Sequence, residues 1–225
     1  MKSLIKSNPF LFKLWFELYR KNRGVEINYF NHKTKFLLDG YPRSGNTFAA
    51  SLVKYIFGKD VSFVHHFHAI APIKIALRKD IPVYILIRDP KEAITSNYLK
   101  TFALKNKDVP REINKNLLKK LTIEYSNYYK FVYKKRNKIE IIIFKDFISR
   151  PEIFLSNINS LIYNNDFEIS SLQVKDAINN YKGATDTYGS SKPNTEKEKL
   201  KNILKKELIE ISQYKRAERL YSSII

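Results

Sequence analysis

Apolar residues along the chain fall into two rhythms. Four short runs, FLLDG (36–40), VSFVHH (61–66), VYILIR (83–88) and IEIIIF (139–144), are close to continuously apolar and predict buried strands. Between them the apolar positions recur at helical spacing, over 47–57 and over IAPIKIALRK. A long, mostly helical stretch covers about 90–136, and Asp89-Pro90 marks its start. KDFISRPEIFLSNINSLI reads as a loop followed by a helix. Near the end, Leu200, Leu204, Leu208 and Ile211 repeat at helical spacing behind a capping-box pattern, Thr195 with Glu198. Strands alternating with helices predict βαβ units. The expected fold class is α/β, a single domain with a central parallel β-sheet flanked by helices. Its divisions are an N-terminal amphipathic helical segment, 1–35, and a core, 36–225.

Composition agrees with a folded globule: 225 residues, 44% hydrophobic, and neither a repeat nor a low-complexity linker. The 41 Lys and Arg against 22 Asp and Glu leave a net charge of +19, which favours anionic partners without naming one. The absence of cysteine excludes disulfides and thiolate chemistry. Lys6, Lys13 and Glu17 interrupt PFLFKLWFELYRKNR and its approach before any long apolar run, so no signal peptide is expected and a cytoplasmic location is. The same segment, 8–23, is amphipathic. It has two readings, a peripheral membrane contact or a helix packed on the domain.

The most informative stretch is DGYPRSGNTF, Asp39 to Phe48. It follows a predicted strand, precedes a predicted helix and reads G-x-x-x-x-G-N-T. That is the phosphate-loop pattern with asparagine in place of lysine. A strand, a Gly-bearing turn and a helix start place several backbone N–H groups and the positive end of a helix dipole around one point. Asn46 cannot supply the missing charge, but Arg43 can, with a planar fork suited to phosphate or sulfate oxygens. A second station is IRDPKEAITSNY, where Arg88 ends a strand and Ser96 lies eight residues on. Together the two stations call for a ligand with two separate anionic groups.

YPRSGNTF resembles the 5′-phosphosulfate loop of the cytosolic-type sulfotransferases, Y-P-K-S-G-T-T-W, and RDPKEAITS resembles their 3′-phosphate motif. IEIIIFKDF is similar to the family's later strand ending in Y-E-D-L. The resemblance covers roughly 36–162, and it implies a P-loop-like sulfotransferase fold. It also implies 3′-phosphoadenosine 5′-phosphosulfate (PAPS) as donor, adenosine 3′,5′-bisphosphate (PAP) as product, and no metal. Carried over, it assigns the 5′ end of the donor to Arg43, Ser44, Gly45, Asn46 and Thr47, with Phe48 beside the adenine. Arg88 and Ser96 are assigned the 3′-phosphate. The family's R-K-G is matched only in part by Tyr181-Lys182-Gly183, which adds Lys182 and Gly183.

HHFH, His65 to His68, holds three of the four histidines at a strand end. Metal-ligand spacing is lacking. If the strand persists, His66 and His68 share a side and His65 faces the other way. The resembled family places a histidine base 20 or so residues before the 3′-phosphate arginine, and His66 and His68 lie 22 and 20 residues before Arg88. The expected catalytic set is Arg43, His66 and His68, acting in sulfuryl transfer to an acceptor hydroxyl on a small molecule, lipid or glycan. Alternative readings are a P-loop kinase-like phosphotransferase, an inactive sulfotransferase-like protein and a basic nucleic-acid binder. The paired anion stations leave nucleic acid unexpected as a partner.

Overall fold

A computed structural model describes residues 2–23, 29–58, 60–106, 112–164, 166–181 and 195–225. The chain opens with α1 (Lys2–Ser7) and α2 (Pro9–Arg23). Asn8 separates them and caps the second: its Oδ1 accepts from the N–H of Phe10 and Leu11, while Pro9 occupies the first helical position, where no N–H is needed. Then come β1 (Phe36–Gly40), α3 (Asn46–Phe57), β2 (Phe63–His65), α4 (Ile70–Arg78), β3 (Val83–Ile87) and α5 (Pro90–Asn106). After these follow α6 (Lys115–Lys134), β4 (Glu140–Ile143), α7 (Phe144–Ser149), α8 (Pro151–Tyr163), α9 (Ser171–Asn179), α10 (Thr195–Ile209) and α11 (Tyr214–Ile224).

The four strands form one parallel sheet in the order β2-β1-β3-β4. Every residue of β1 and β3 is buried, which is why both read as unbroken apolar runs rather than alternating ones. The period of two still decides partners. Phe36, Leu38, Tyr84 and Leu86 join the core beneath α3, α8 and α9. Leu37, Val83, Ile85 and Ile87 join the larger core under α5, α6, α10 and α11. The result is a single α/β domain of three layers.

The sheet order also fixes where a ligand can sit. From β1 the chain moves outward to β2, then crosses back to β3 on the other side of β1. The switch point therefore lies between β1 and β3, at their carboxyl ends. Gly40 and Leu86 are in register there, and a Cβ on Gly40 would stand 2.5 Å from the Leu86 carbonyl oxygen.

The structure departs from the sequence expectations in several places. The stretch after β4 is helical from Phe144, so the expected loop is a short helix, and α9 and α11 were not foreseen. Helix α10 ends at Ile209, and Ile211 packs on the core from the following turn. Strand β2 stops at His65 because His66 and His68 take left-handed φ values of 67° and 50°.

Candidate functional site

The turn after β1 is held from below by tyrosines of α6. The Tyr129 hydroxyl donates to the Leu86 carbonyl at 2.8 Å, accepts from the Tyr41 N–H and contacts Ser44 Oγ. The Tyr41 hydroxyl donates in turn to the Leu121 carbonyl and accepts from Asn97. Arg43 has φ 71° and Gly45 φ 96°, so the loop reverses twice in the left-handed region before α3 begins. A Cβ at Gly45 would also lie 2.7 Å from the Phe144 ring, so only glycine fits. Gly45 caps α3 without a side chain, leaving the first-turn N–H groups of Asn46, Thr47 and Phe48 directed out of the helix start.

Beside this turn lies a cavity of about 560 Å³. Arg43, Gly45, Asn46, Thr47, Phe48, His66, His68, Arg88 and Ser96 all line it, so residues singled out at three separate places in the sequence converge. Ser44 is the exception: fully buried, its hydroxyl faces Tyr129. Lys182 and Gly183 lie outside the described residues. So does the Thr195 side chain of the expected capping box.

The two arginines are coupled directly. Arg43 Nε donates to Ser96 Oγ at 2.9 Å, and the Arg88 guanidinium donates to the Arg43 carbonyl at 3.0 Å and stacks 4.6 Å over the Phe144 ring. Tyr125 fixes Arg88 from behind by donating to its carbonyl. The Asn46 side chain does not reach into the site as a phosphate-loop lysine would. It donates back to the Tyr41 carbonyl at 3.2 Å and is buried. Phe48 packs edge-on against Tyr181 at 5.0 Å, giving the far end of the cavity an aromatic wall.

Sequence reasoning missed the cations brought by α10. Lys201 lines the cavity and binds Glu92 at 2.7 Å, and Lys205 pairs with the same carboxylate. Burial works to raise the Glu92 pKa, but the two lysines prevail and hold it near 2. Arg88 approaches this carboxylate as well, at 3.4 Å. Lys201 stands far along the sequence from Glu92, in a helix without any motif, so no local signal pointed to it. Asn97, next to Ser96 in α5, and Lys100, one helical turn beyond Ser96, also line the cavity.

The cavity is also lined by imidazoles. His66 Nε2 is 2.9 Å from Thr47 Oγ1, and its other ring nitrogen contacts His65. His68 Nδ1 lies 2.7 Å from the Gly40 carbonyl oxygen. A carbonyl only accepts, so Nδ1 carries the proton and the Nε2 lone pair is available. Burial, assisted by neighbouring lysines, lowers His66 to about 4 and His68 to about 3, so both are unprotonated at neutral pH. Asp39, wholly buried, accepts from the His68 main-chain N–H at 3.1 Å. Burial pushes the Asp39 carboxyl up to about 7 against the opposing hydrogen bonds of three main-chain N–H groups. With His68 neutral, its approach to Asp39 is a positioning contact rather than an ion pair. Among the described residues no group of three His, Cys, Asp or Glu is arranged to hold a metal ion. No described helix is long and apolar enough to cross a membrane.

No protein-family model matches the chain, and no curated protein does either. Among solved structures it is similar to the crystal structure of mouse sulfotransferase SULT7A1 complexed with PAP. The two share 10% sequence identity over 85% of this chain and 89% of the other, with a TM-score of 0.49.

Proposed function

We propose that the chain is a sulfotransferase that moves a sulfuryl group from PAPS to an acceptor hydroxyl. One observation carries this reading: two coupled guanidiniums, Arg43 and Arg88, flank a helix start at the switch point and share one cavity with unprotonated imidazoles. The residues fit the donor. Two anionic ends match two arginines, and the first-turn N–H groups with the Gly45 cradle suit an oxyanion. The aromatic wall of Phe48 and Tyr181 suits a purine. The inward turn of Asn46 argues against a Mg-ATP kinase, whose loop lysine reaches the outer phosphates from that position.

In this reading Arg88 and Ser96 hold the 3′-phosphate, and Arg43 with the α3 N–H groups holds the 5′ end. His68 Nε2 takes the acceptor proton while the acceptor oxygen forms its bond to sulfur. Arg43 faces the bridging phosphate oxygen, which keeps the electron pair of the breaking S–O bond. Arginine holds its proton too firmly to donate it, so its part is electrostatic. An anion bound at this wall draws the imidazole back towards its ordinary basicity. His66, tied to Thr47, orients the loop and is the second candidate base.

Thermal melts with PAP in the presence of a chelator test the donor site. A rise in melting temperature without Mg²⁺ is expected, and a preference for Mg-ATP overturns the reading. Transfer of labelled sulfate from PAPS to a panel of hydroxyl acceptors tests the chemistry.

A further inference from the structure

Helix α2 has two apolar faces, and only one is buried among the described residues. Phe12 and Phe16 are each 2% exposed and pack edge-on against Phe67 at 5.2 and 5.4 Å. Phe10, Leu14 and Leu18, at successive four-residue steps, lie on another side and are 75%, 48% and 56% exposed. Trp15 at 41% and Leu4 of α1 at 59% extend this surface. Contiguous exposed side chains of this size mark an interaction site.

From this we infer that α1 and α2 dock the protein on an anionic lipid bilayer, with Phe10, Leu14 and Leu18 entering the acyl boundary and Trp15 at its edge. Charge decides the occupant. Residues 1–23 contain six Lys or Arg and one Glu, on a chain of net charge +19. A second copy of the chain pairing through the same face would bring two strongly positive segments together, whereas an anionic surface attracts both. An apolar arc flanked by basic residues is the pattern of a helix lying in the interfacial plane, and tryptophan favours that depth.

Helix α1 adjoins the candidate site. Lys6 and Ser7 of α1 border a small cavity of about 90 Å³ that His68 also lines, and the Lys74 ammonium of α4 donates to the Ser7 carbonyl.

Trp15 is the sole tryptophan, so its emission reports docking on the unaltered full chain. Vesicles of equal parts phosphatidylcholine and phosphatidylglycerol should shift that emission to the blue and carry the protein on flotation. Phosphatidylcholine vesicles alone should do neither. The triple change Phe10→Ser, Leu14→Ser, Leu18→Ser should weaken partitioning roughly a hundredfold or more. Its response to PAP should stay unchanged, because none of these side chains lines the cavity, and its melting temperature should fall only by the apolar area these half-exposed side chains bury. The inference is overturned if the unaltered chain neither shifts nor floats with anionic vesicles. It is overturned equally if the triple variant partitions as tightly as the parent. A dimer of the parent that the triple change splits would assign the face to a second copy. None of these outcomes bears on whether PAP binds, so the donor reading stands or falls separately.

Discussion

The two walls of the cavity solve opposite electrostatic problems. The arginine wall gathers Arg88, Lys201 and Lys205 around Glu92, with Arg43 beside Arg88 and Glu198 beside Lys201, and leaves a surplus of positive charge. The histidine wall keeps its imidazoles neutral by burying them, and burial brings Asp39 to its midpoint near neutral pH. One wall is suited to hold anions and the other to move a proton. Separating the roles avoids a conflict, because an imidazole placed among free carboxylates would be protonated and useless as a base.

Breaking either wall alone should produce a different failure. The largest effect is expected from His68→Ala, which should cut turnover on the order of a hundred- to ten-thousandfold and leave PAP binding intact. Single-turnover kinetics beside calorimetric PAP titration would show both halves. A variant that loses PAP binding instead would move His68 to the donor side. Next, Arg88→Ala should weaken PAP about a hundredfold or more, the usual scale for a lost bidentate charge contact. Unchanged affinity would remove Arg88 from the donor wall.

Glu92→Gln sharpens the contrast, because its two consequences have opposite signs. Removing the shared carboxylate should destabilise the unliganded protein by about 2 kcal/mol as the cations repel one another. The thermal shift produced by PAP should grow, since the ligand then supplies the missing negative charge. A smaller shift would show that Glu92 positions Arg88 more than it competes for it.

The smallest effect is a pH trend. His65, His66 and His68 have lowered pKa values in the fold, so the unfolded chain binds more protons between about 6.5 and 4. Their contribution to stability is complete above 6.5 and is lost as pH falls through that window. Asp39 works the other way: its raised pKa favours the fold most below about 4, and the benefit fades as pH rises to 7. Three groups outweigh one, so the melting temperature should fall on acidification from 6.5. In Asp39→Asn the fall should be steeper, and the melting temperature above pH 7 higher than in the parent. Melts across a buffer series would check both.

The two walls were unequally legible in the sequence. The arginine wall follows from local rules: a strand, a Gly-bearing turn and a helix start at Gly40 to Thr47, then Arg88 at the end of the next strand on the far side of the switch point. Its supports were hidden, because Tyr129, Tyr125 and Lys201 act across long sequence separations and carry no motif. On the histidine wall the strand that would have set alternating sides ends at His65, since the backbone turns left-handed at His66 and His68. Both rings reach the cavity regardless. The unforeseen α9 shows a different limit: it buries only Val174 and Ala177, too little periodicity to register, although Ser170 and Gln173 form a complete capping box.

Phe67 ties these observations to the start of the chain. It stands between two non-glycine residues in the left-handed region, each costing about 1 kcal/mol or more relative to extended backbone. Such a conformation persists only where surroundings impose it; here Phe12 and Phe16 pack edge-on against the ring, and Asp39 accepts from the His68 N–H. Without the first two helices the segment would relax into a longer strand, and the imidazoles would swing out of register with the loop. A truncation far from the cavity in sequence would then disturb its histidine side, and the leading helices hold the shape of that segment as well as the packing.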